Sequence, residues 1–261
     1  MDLDLQGKRV LVTGAGAGIG KATAQAFLNE GAEVIINGLT EGEVAEAVGD
    51  LSASGAVTGC AADLSTGEGA DALLAFADGD QVDILVNNVG VFAVRSFEDL
   101  SDEDWLSSFQ TNVMSAVRMA RGILPAMLRR GRGAVINLAS EAGVKPLPQM
   151  IHYSVTKTAM LGLSRGLAEL TKGTAVRVNA VLPGPTWTDG VARYFEGLAA
   201  EKGEPIDEIV ENYFRVDEPT SLIQRFVRPE EVARTIVTVS AMEAANGGAY
   251  RVEGGLIRAI L

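Results

Sequence analysis

Five short runs dense in Val, Ile and Leu, at residues 9–13, 33–37, 82–87, 133–139 and 175–182, constrain this chain more than any other feature. Strands that are nearly continuous in such residues belong to a sheet covered on both faces, because a half-exposed sheet would alternate apolar with polar. Stretches of helical character separate them, at 18–30, 44–52, 70–77, 101–128 and 151–171. Further strands are expected at 56–61 and 249–252, the latter after a helix opening at Pro229-Glu-Glu231, with Pro in the first turn. Strands alternating with helices require right-handed crossovers between parallel neighbours. The expected fold is therefore α/β, a doubly wound, mostly parallel sheet of about seven strands with helices on both faces. No linker interrupts the 261 residues, so one domain over 1–261 is expected. Residues 186–226 break the rhythm with Trp187, Tyr194, Phe195, Tyr213 and Phe214, and read either as a substrate lid or as a helical excursion over the sheet.

Local signals support the boundaries. Gly31 closes the first helix as a residue suited to the left-handed region. Ser101-Asp-Glu-Asp104 has the form of a capping box at the head of the helix expected over 101–128.

Between the first strand and first helix lies Thr13-Gly14-Ala15-Gly16-Ala17-Gly18-Ile19-Gly20. A strand–glycine turn–helix unit of this kind lets backbone approach a pyrophosphate, whose charge the helix N-terminus stabilises, which makes the sheet Rossmann-type and the expected ligand a dinucleotide. A triphosphate-binding loop is disfavoured, since Ala22 stands where the metal-binding hydroxyl would follow Lys21.

A second constellation lies in the helix over 151–171. Tyr153 and Lys157 are four residues apart and share a face. A tyrosine ordinarily titrating at about 10 exchanges protons poorly near neutrality, and an ammonium group beside it would lower that value. Such a pair can protonate a carbonyl oxygen during reduction or deprotonate an alcohol during oxidation.

Composition excludes other classes. The net charge is −12, and the densest basic cluster, Arg129, Arg130 and Arg132, falls where a helix should end, so no nucleic-acid partner is expected. One cysteine, Cys60, and one histidine, His152, supply neither a disulfide framework nor a zinc site. Cys60 reads as a small buried apolar residue, and His152 as a rim or interface residue. No segment is long and apolar enough to span a membrane, and the acidic Met1-Asp-Leu-Asp-Leu5 lacks the apolar run of a signal peptide, so a cytoplasmic location is expected.

Taken together, these motifs resemble the short-chain dehydrogenase/reductase family, in its compact form of about this length. The resemblance rests on the glycine loop at 13–20, Asn87-Asn88-Val89-Gly90 after a strand, Asn112, Ser140 thirteen residues before Tyr153, Lys157, and Pro183-Gly184. It implies that Tyr153 is the acid/base and that Ser140 holds the substrate oxygen. It also implies that Lys157 tunes Tyr153 and grips the nicotinamide ribose, while Asn112 anchors a proton-relaying water. Gly14, Gly16, Gly18, Ile19, Gly20, Gly38, Leu39, Asp63, Leu64, Asn88, Gly90, Tyr153, Lys157, Pro183, Gly184, Thr186 and Thr188 are the expected cofactor contacts. Three departures occur: Val89 replaces alanine, Ala139 replaces the first serine of a pair, and Glu253 replaces an aspartate.

The resemblance thus implies an NAD(P)(H)-dependent oxidoreductase that interconverts a carbonyl compound and a secondary alcohol. An acid at the end of the second strand would bind a ribose diol and a base would bind a 2′-phosphate; Asn37-Gly38-Leu39-Thr40 offers neither, which leans toward NAD over NADP. Glu141, Gln149, Met150, His152 and Trp187 are expected at the mouth of the substrate site. Two alternatives stay open: an NADPH-dependent 3-oxoacyl (acyl-carrier) reductase, which would need a basic rim from Lys145, Arg95 and Arg193, and a dinucleotide sensor without turnover. The family resemblance implies a homotetramer, or a homodimer, paired through the helices over 101–128 and 151–171.

Overall fold

A computed structural model describes residues 3–260; Met1, Asp2 and Leu261, and with them the first two residues of the acidic N-terminal segment, lie outside the described residues. Seven strands form one sheet: β1 (Arg9–Val12), β2 (Glu33–Gly38), β3 (Val57–Ala61), β4 (Ile84–Asn87), β5 (Arg132–Leu138), β6 (Ala175–Pro183) and β7 (Ala249–Val252). Their order is β3-β2-β1-β4-β5-β6-β7. Every neighbouring pair is parallel, so the sheet is wholly parallel rather than mostly so. This is the doubly wound Rossmann-type architecture.

The apolar runs work as a two-sided core because successive strand residues point to opposite faces. Val10, Val12, Val34, Ile36, Val86 and Ile136 pack under α1 (Gly18–Asn29), α2 (Glu41–Leu51) and α9 (Pro229–Ala241). Leu11, Ile35, Leu85, Val135 and Val178 face the other way, under α3 (Gly67–Ala77), α5 (Ser115–Arg130) and α6 (Ile151–Glu169). Gly31 has φ +78° and its N–H closes α1 on Leu28, as its position promised. Arg129 and Arg130 do end a helix: Arg129 pairs with Asp80, and Arg130 donates to the Val82 carbonyl at 2.6 Å. Cys60 is half-buried at the end of β3 rather than fully enclosed, and burial raises its thiol.

Two regions differ from the sequence expectation. The helix expected over 101–128 is α4 (Asp102–Phe109), a π-helical turn (Gln110–Met114) and then α5. Its head is as expected: Ser101 Oγ accepts from the Asp104 N–H while Asp104 Oδ2 accepts from the Ser101 N–H. The widened turn carries Asn112 into the interior, where its amide donates to the Val91 carbonyl and Thr156 Oγ1, and its oxygen accepts from the Val91 N–H at 2.8 Å. Three tertiary hydrogen bonds on one side chain outweigh the regular turn, and such π-turns recur where a helix must present a functional group.

The second region is 186–226. It folds as α7 (Asp189–Lys202), α8 (Ile206–Asn212) and a second π-helical turn, Tyr213–Asp217. Phe195, Ile209, Phe214 and Phe226 bury one another in a small core of their own. The aromatics are thus consumed largely in holding this excursion together, and its inner side walls the cleft described next.

Candidate active site

The sheet reverses its direction of winding between β1 and β4, and at such a switch point the loops at the carboxyl ends of the strands part to leave a crevice. Here the crevice is a cleft of about 1380 Å³. Every expected site residue lines it except Asn112, which sits one layer behind. Two expected mouth residues are also elsewhere. His152 is buried against Trp105, with ring centroids 6.3 Å apart, because it occupies the other side of α6 from the cleft. Trp187 turns into the aromatic core, 4.9 Å from the Phe226 ring. Glu141, Gln149 and Met150 do line the cleft.

At one end, the Asn88 side chain after β4 and the backbone of β2 hold the glycine turn. Asn88 Nδ2 donates to the Thr13 and Gly14 carbonyls at 2.9 and 2.8 Å, and the Ala15 N–H donates to the Asn37 carbonyl at 2.7 Å. Gly14 and Gly18 have φ of +61° and +55°, conformations open to glycine. No side chain caps the N-terminus of α1, so the donors of its first turn face the cleft. A bare helix terminus, glycines where a side chain would intrude and a long cleft together fit a dinucleotide pyrophosphate. Thr188, expected near the carboxamide, packs over this turn, with its methyl 3.2 Å from where a Cβ on Gly18 would lie.

Sequence reasoning passed over Glu43 in the same region. With Thr40 it forms the capping box of α2, and its Oε2 accepts from the N–H groups of Leu39 and Thr40. Glu43 thereby lines the cleft, its carboxylate beside Leu39 and its Cβ beside Gly16. Thr40-Glu-Gly-Glu43 was visible as a capping-box pattern, and that was the available signal.

Ser140, Tyr153 and Lys157 meet at the other end. Ser140 ends β5 and Tyr153 faces it from α6. Lys157 Nζ lies 5.6 Å from the centre of the Tyr153 ring and donates to the Leu138 carbonyl at 3.0 Å. Burial brings Lys157 down to about 8, with the Glu141 charge acting the other way. Tyr153 is held above its ordinary value, first by burial and then by the charge of Glu141, while Ser140 partly offsets both. The lowering expected from Lys157 is therefore not what this arrangement does. Burial weakens the hold of the lysine on its proton, and its hydrogen bond goes to backbone rather than to the phenol.

The sequence profile described as short chain dehydrogenase matches residues 8–199. The chain belongs to the short-chain dehydrogenase/reductase family. Among curated relatives of this short-chain enzyme is an uncharacterized oxidoreductase, YvrD, of Bacillus subtilis (strain 168), 55% identical over 264 residues and covering all of both chains. D-beta-hydroxybutyrate dehydrogenase of Cupriavidus necator is 31% identical, over 97% of this chain and 99% of that one. L-sorbose reductase from Gluconobacter frateurii, solved with NADPH and L-sorbose, superposes with a TM-score of 0.93 at 32% identity, covering both chains fully. The protein is accordingly a short-chain oxidoreductase of the carbonyl/alcohol class, of a family that uses NAD(P).

Proposed function

We propose that Tyr153 is the acid/base of this oxidoreductase and that Ser140, Lys157 and Asn112 complete its machinery. The observation that carries this reading is the convergence of Ser140, Tyr153 and Lys157 at one end of a cleft whose other end suits a pyrophosphate. Tyr153 gives its phenolic proton to the substrate oxygen during reduction and takes it back during oxidation, while Ser140 fixes that oxygen. Lys157 supplies positive charge beneath the phenol, and Asn112 holds the Val91 backbone against α6. A bound nicotinamide supplies or accepts the hydride. The loss of positive charge on Lys157 sets an upper limit to reductive turnover, which declines as pH rises through about 8. Nicotinamide absorbance across ketones, aldehydes and secondary alcohols, with Tyr153→Phe alongside, tests the assignment.

For the cofactor we propose NAD over NADP. Leu39 offers no partner to a 2′-phosphate, and the Glu43 carboxylate beside it opposes one. Gln preserves the capping box, so Glu43→Gln is expected to improve kcat/KM with NADP relative to NAD by about tenfold, the scale of one nearby charge at a protein surface. An unchanged ratio would remove Glu43 from cofactor choice.

The acyl-carrier alternative is disfavoured by its rim: Lys145 is paired with Glu218 and Arg95 with Asp104, leaving Arg193 as the member that lines the cleft. A sensor without turnover would have no use for the assembled Ser140, Tyr153 and Lys157. The segment 186–226 walls the substrate end and is proposed as its lid, within a single domain. Among the described residues no helix is long and apolar enough to cross a membrane, and we assign the protein to the cytoplasm. Assembly into a homotetramer, or a homodimer, through α4, α5 and α6 is expected, and light scattering at micromolar concentration should give a multiple of the chain mass; a monomer mass would refute it.

A further inference from the structure

One carboxylate in the substrate end has no part in the chemistry so far. Glu141 follows Ser140 directly, is 5% exposed and lines the cleft. Ser140 Oγ donates to Glu141 Oε2 at 2.6 Å and accepts from the Ala142 N–H at 3.1 Å. Tyr153 and Lys157 face the carboxylate from α6, and Tyr213 and Glu218 from the segment after α8. Glu218 is itself paired with Lys145. Among the described residues no cation forms an ion pair with Glu141.

This arrangement creates a conflict that a substrate must resolve. A serine hydroxyl has one proton, and while it is given to Glu141 it cannot hold the reacting oxygen. A plain ketone that claims the Ser140 proton leaves the buried carboxylate with only the backbone N–H groups of Glu141 and Ala142 as donors, and a donor lost at a buried charge is costly. A ketone with a hydroxyl on the adjoining carbon does not, because it returns a donor to the carboxylate as Ser140 turns away. The two oxygens of such a compound are spaced much as two hydrogen-bonded oxygens are, which matches the Ser140–Glu141 pair.

We infer that Glu141 is a specificity residue for carbonyl compounds bearing a hydroxyl on the neighbouring carbon, and for vicinal diols in the reverse direction. The inference rests on the reading of Ser140 and Tyr153 given above. Reduction adds hydride to the carbonyl carbon and the Tyr153 proton to its oxygen, yielding the diol while the nicotinamide is oxidised by the same two electrons. Burial, reinforced by the Glu218 charge, pushes Glu141 up to about 7 against the opposing hydrogen bond from Ser140. The preference therefore belongs to the carboxylate form. It grows as pH rises through about 7 and fades below, where a protonated Glu141 can itself donate to Ser140 and release its proton to any ketone.

The test compares kcat/KM for matched pairs, 1-hydroxy-2-butanone against 2-butanone and 2,3-butanediol against 2-butanol, with both nicotinamides. Wild type, Glu141→Gln and Glu141→Ala are measured on either side of neutrality. The hydroxylated member should be favoured by at least about tenfold in wild type, the penalty scale for stranding a site's buried polar group. Glu141→Ala should bring the ratio near unity, chiefly by losing the hydroxylated substrate, and Glu141→Gln should weaken it and flatten its pH dependence. Should the alanine variant not fold, the glutamine variant and the wild-type pH profile carry the test. A wild-type ratio near unity, a ratio unmoved by substitution, or no turnover of any hydroxylated substrate overturns the inference. Plain-ketone turnover that needs Tyr153 would leave the wider assignment standing in each case, whereas turnover surviving in Tyr153→Phe would overturn that assignment instead.

Discussion

Tyr153→Phe is expected to lower carbonyl turnover by about 10²–10⁴-fold, the range for removing a positioned general acid, while cofactor binding survives. Phenylalanine keeps the ring that meets Phe92 edge-on at 6.3 Å, so the packing of α6 against the cleft is preserved and only the hydroxyl is lost. Fluorescence titration of the variant with NAD(H) should give an affinity close to wild type. The distinguishing outcome is a split: absorbance change abolished, binding retained. Loss of both would point to a disturbed site, and retention of both would mean that another group moves the proton. Because Tyr153 is held above its ordinary value by burial and by Glu141, the phenol is neutral at physiological pH, the form needed to donate to a carbonyl oxygen.

Gly20→Ala should damage the other end of the cleft. A Cβ at this position would lie 2.3 Å from the Gly14 carbonyl oxygen, 2.5 Å from Asn88 Nδ2 and 2.8 Å from the Ala15 Cα. The obstacles are backbone and a pinned amide, so the glycine turn and α1 must separate. Overpacking of this kind costs about 1–3 kcal/mol of stability. The displaced turn also loses the two hydrogen bonds from Asn88, so affinity for the dinucleotide should fall at least as far as stability does. Thermal unfolding and cofactor titration measure both effects. Gly42→Ala supplies the control, since a Cβ there meets nothing within 4 Å. Equal behaviour of the two variants would show that close approach at Gly20 is unimportant.

These two sites were legible in different ways. The glycine turn could be read directly because its requirements are local: a strand, residues without side chains and a helix start within a dozen positions. Tyr153 and Lys157 were legible as a pair through helical periodicity, but their electrostatics were not. An ammonium four residues away suggested a lowered phenol, yet burial and Glu141 reverse the direction, and burial depends on α6, β5 and the 186–226 excursion closing together. Asn112 illustrates a similar limit. Its place in a helix was visible, but the π-turn that turns it inward follows from hydrogen bonds to Val91 and Thr156, 21 and 44 residues away.

Periodicity and spacing were enough for the doubly wound sheet, and they pointed to a dinucleotide turn and a Tyr–Lys pair, because each depends on residues close in the chain or on a repeating pattern; Ser140 joined that pair only through the family resemblance. The remainder was decided by distant elements meeting. His152 and Trp187 were expected at the mouth and instead pack behind it, since sequence position does not say which side of an element a neighbouring core will claim. Glu43 reaches the cleft because a helix cap folds it back over the end of β2. Glu141 becomes a poised carboxylate first because the packed chain buries it, and then because the charge of Glu218, more than seventy residues later, acts on it. Charge and solvation in a site are properties of the packed chain, and they arise only when those segments exclude water together.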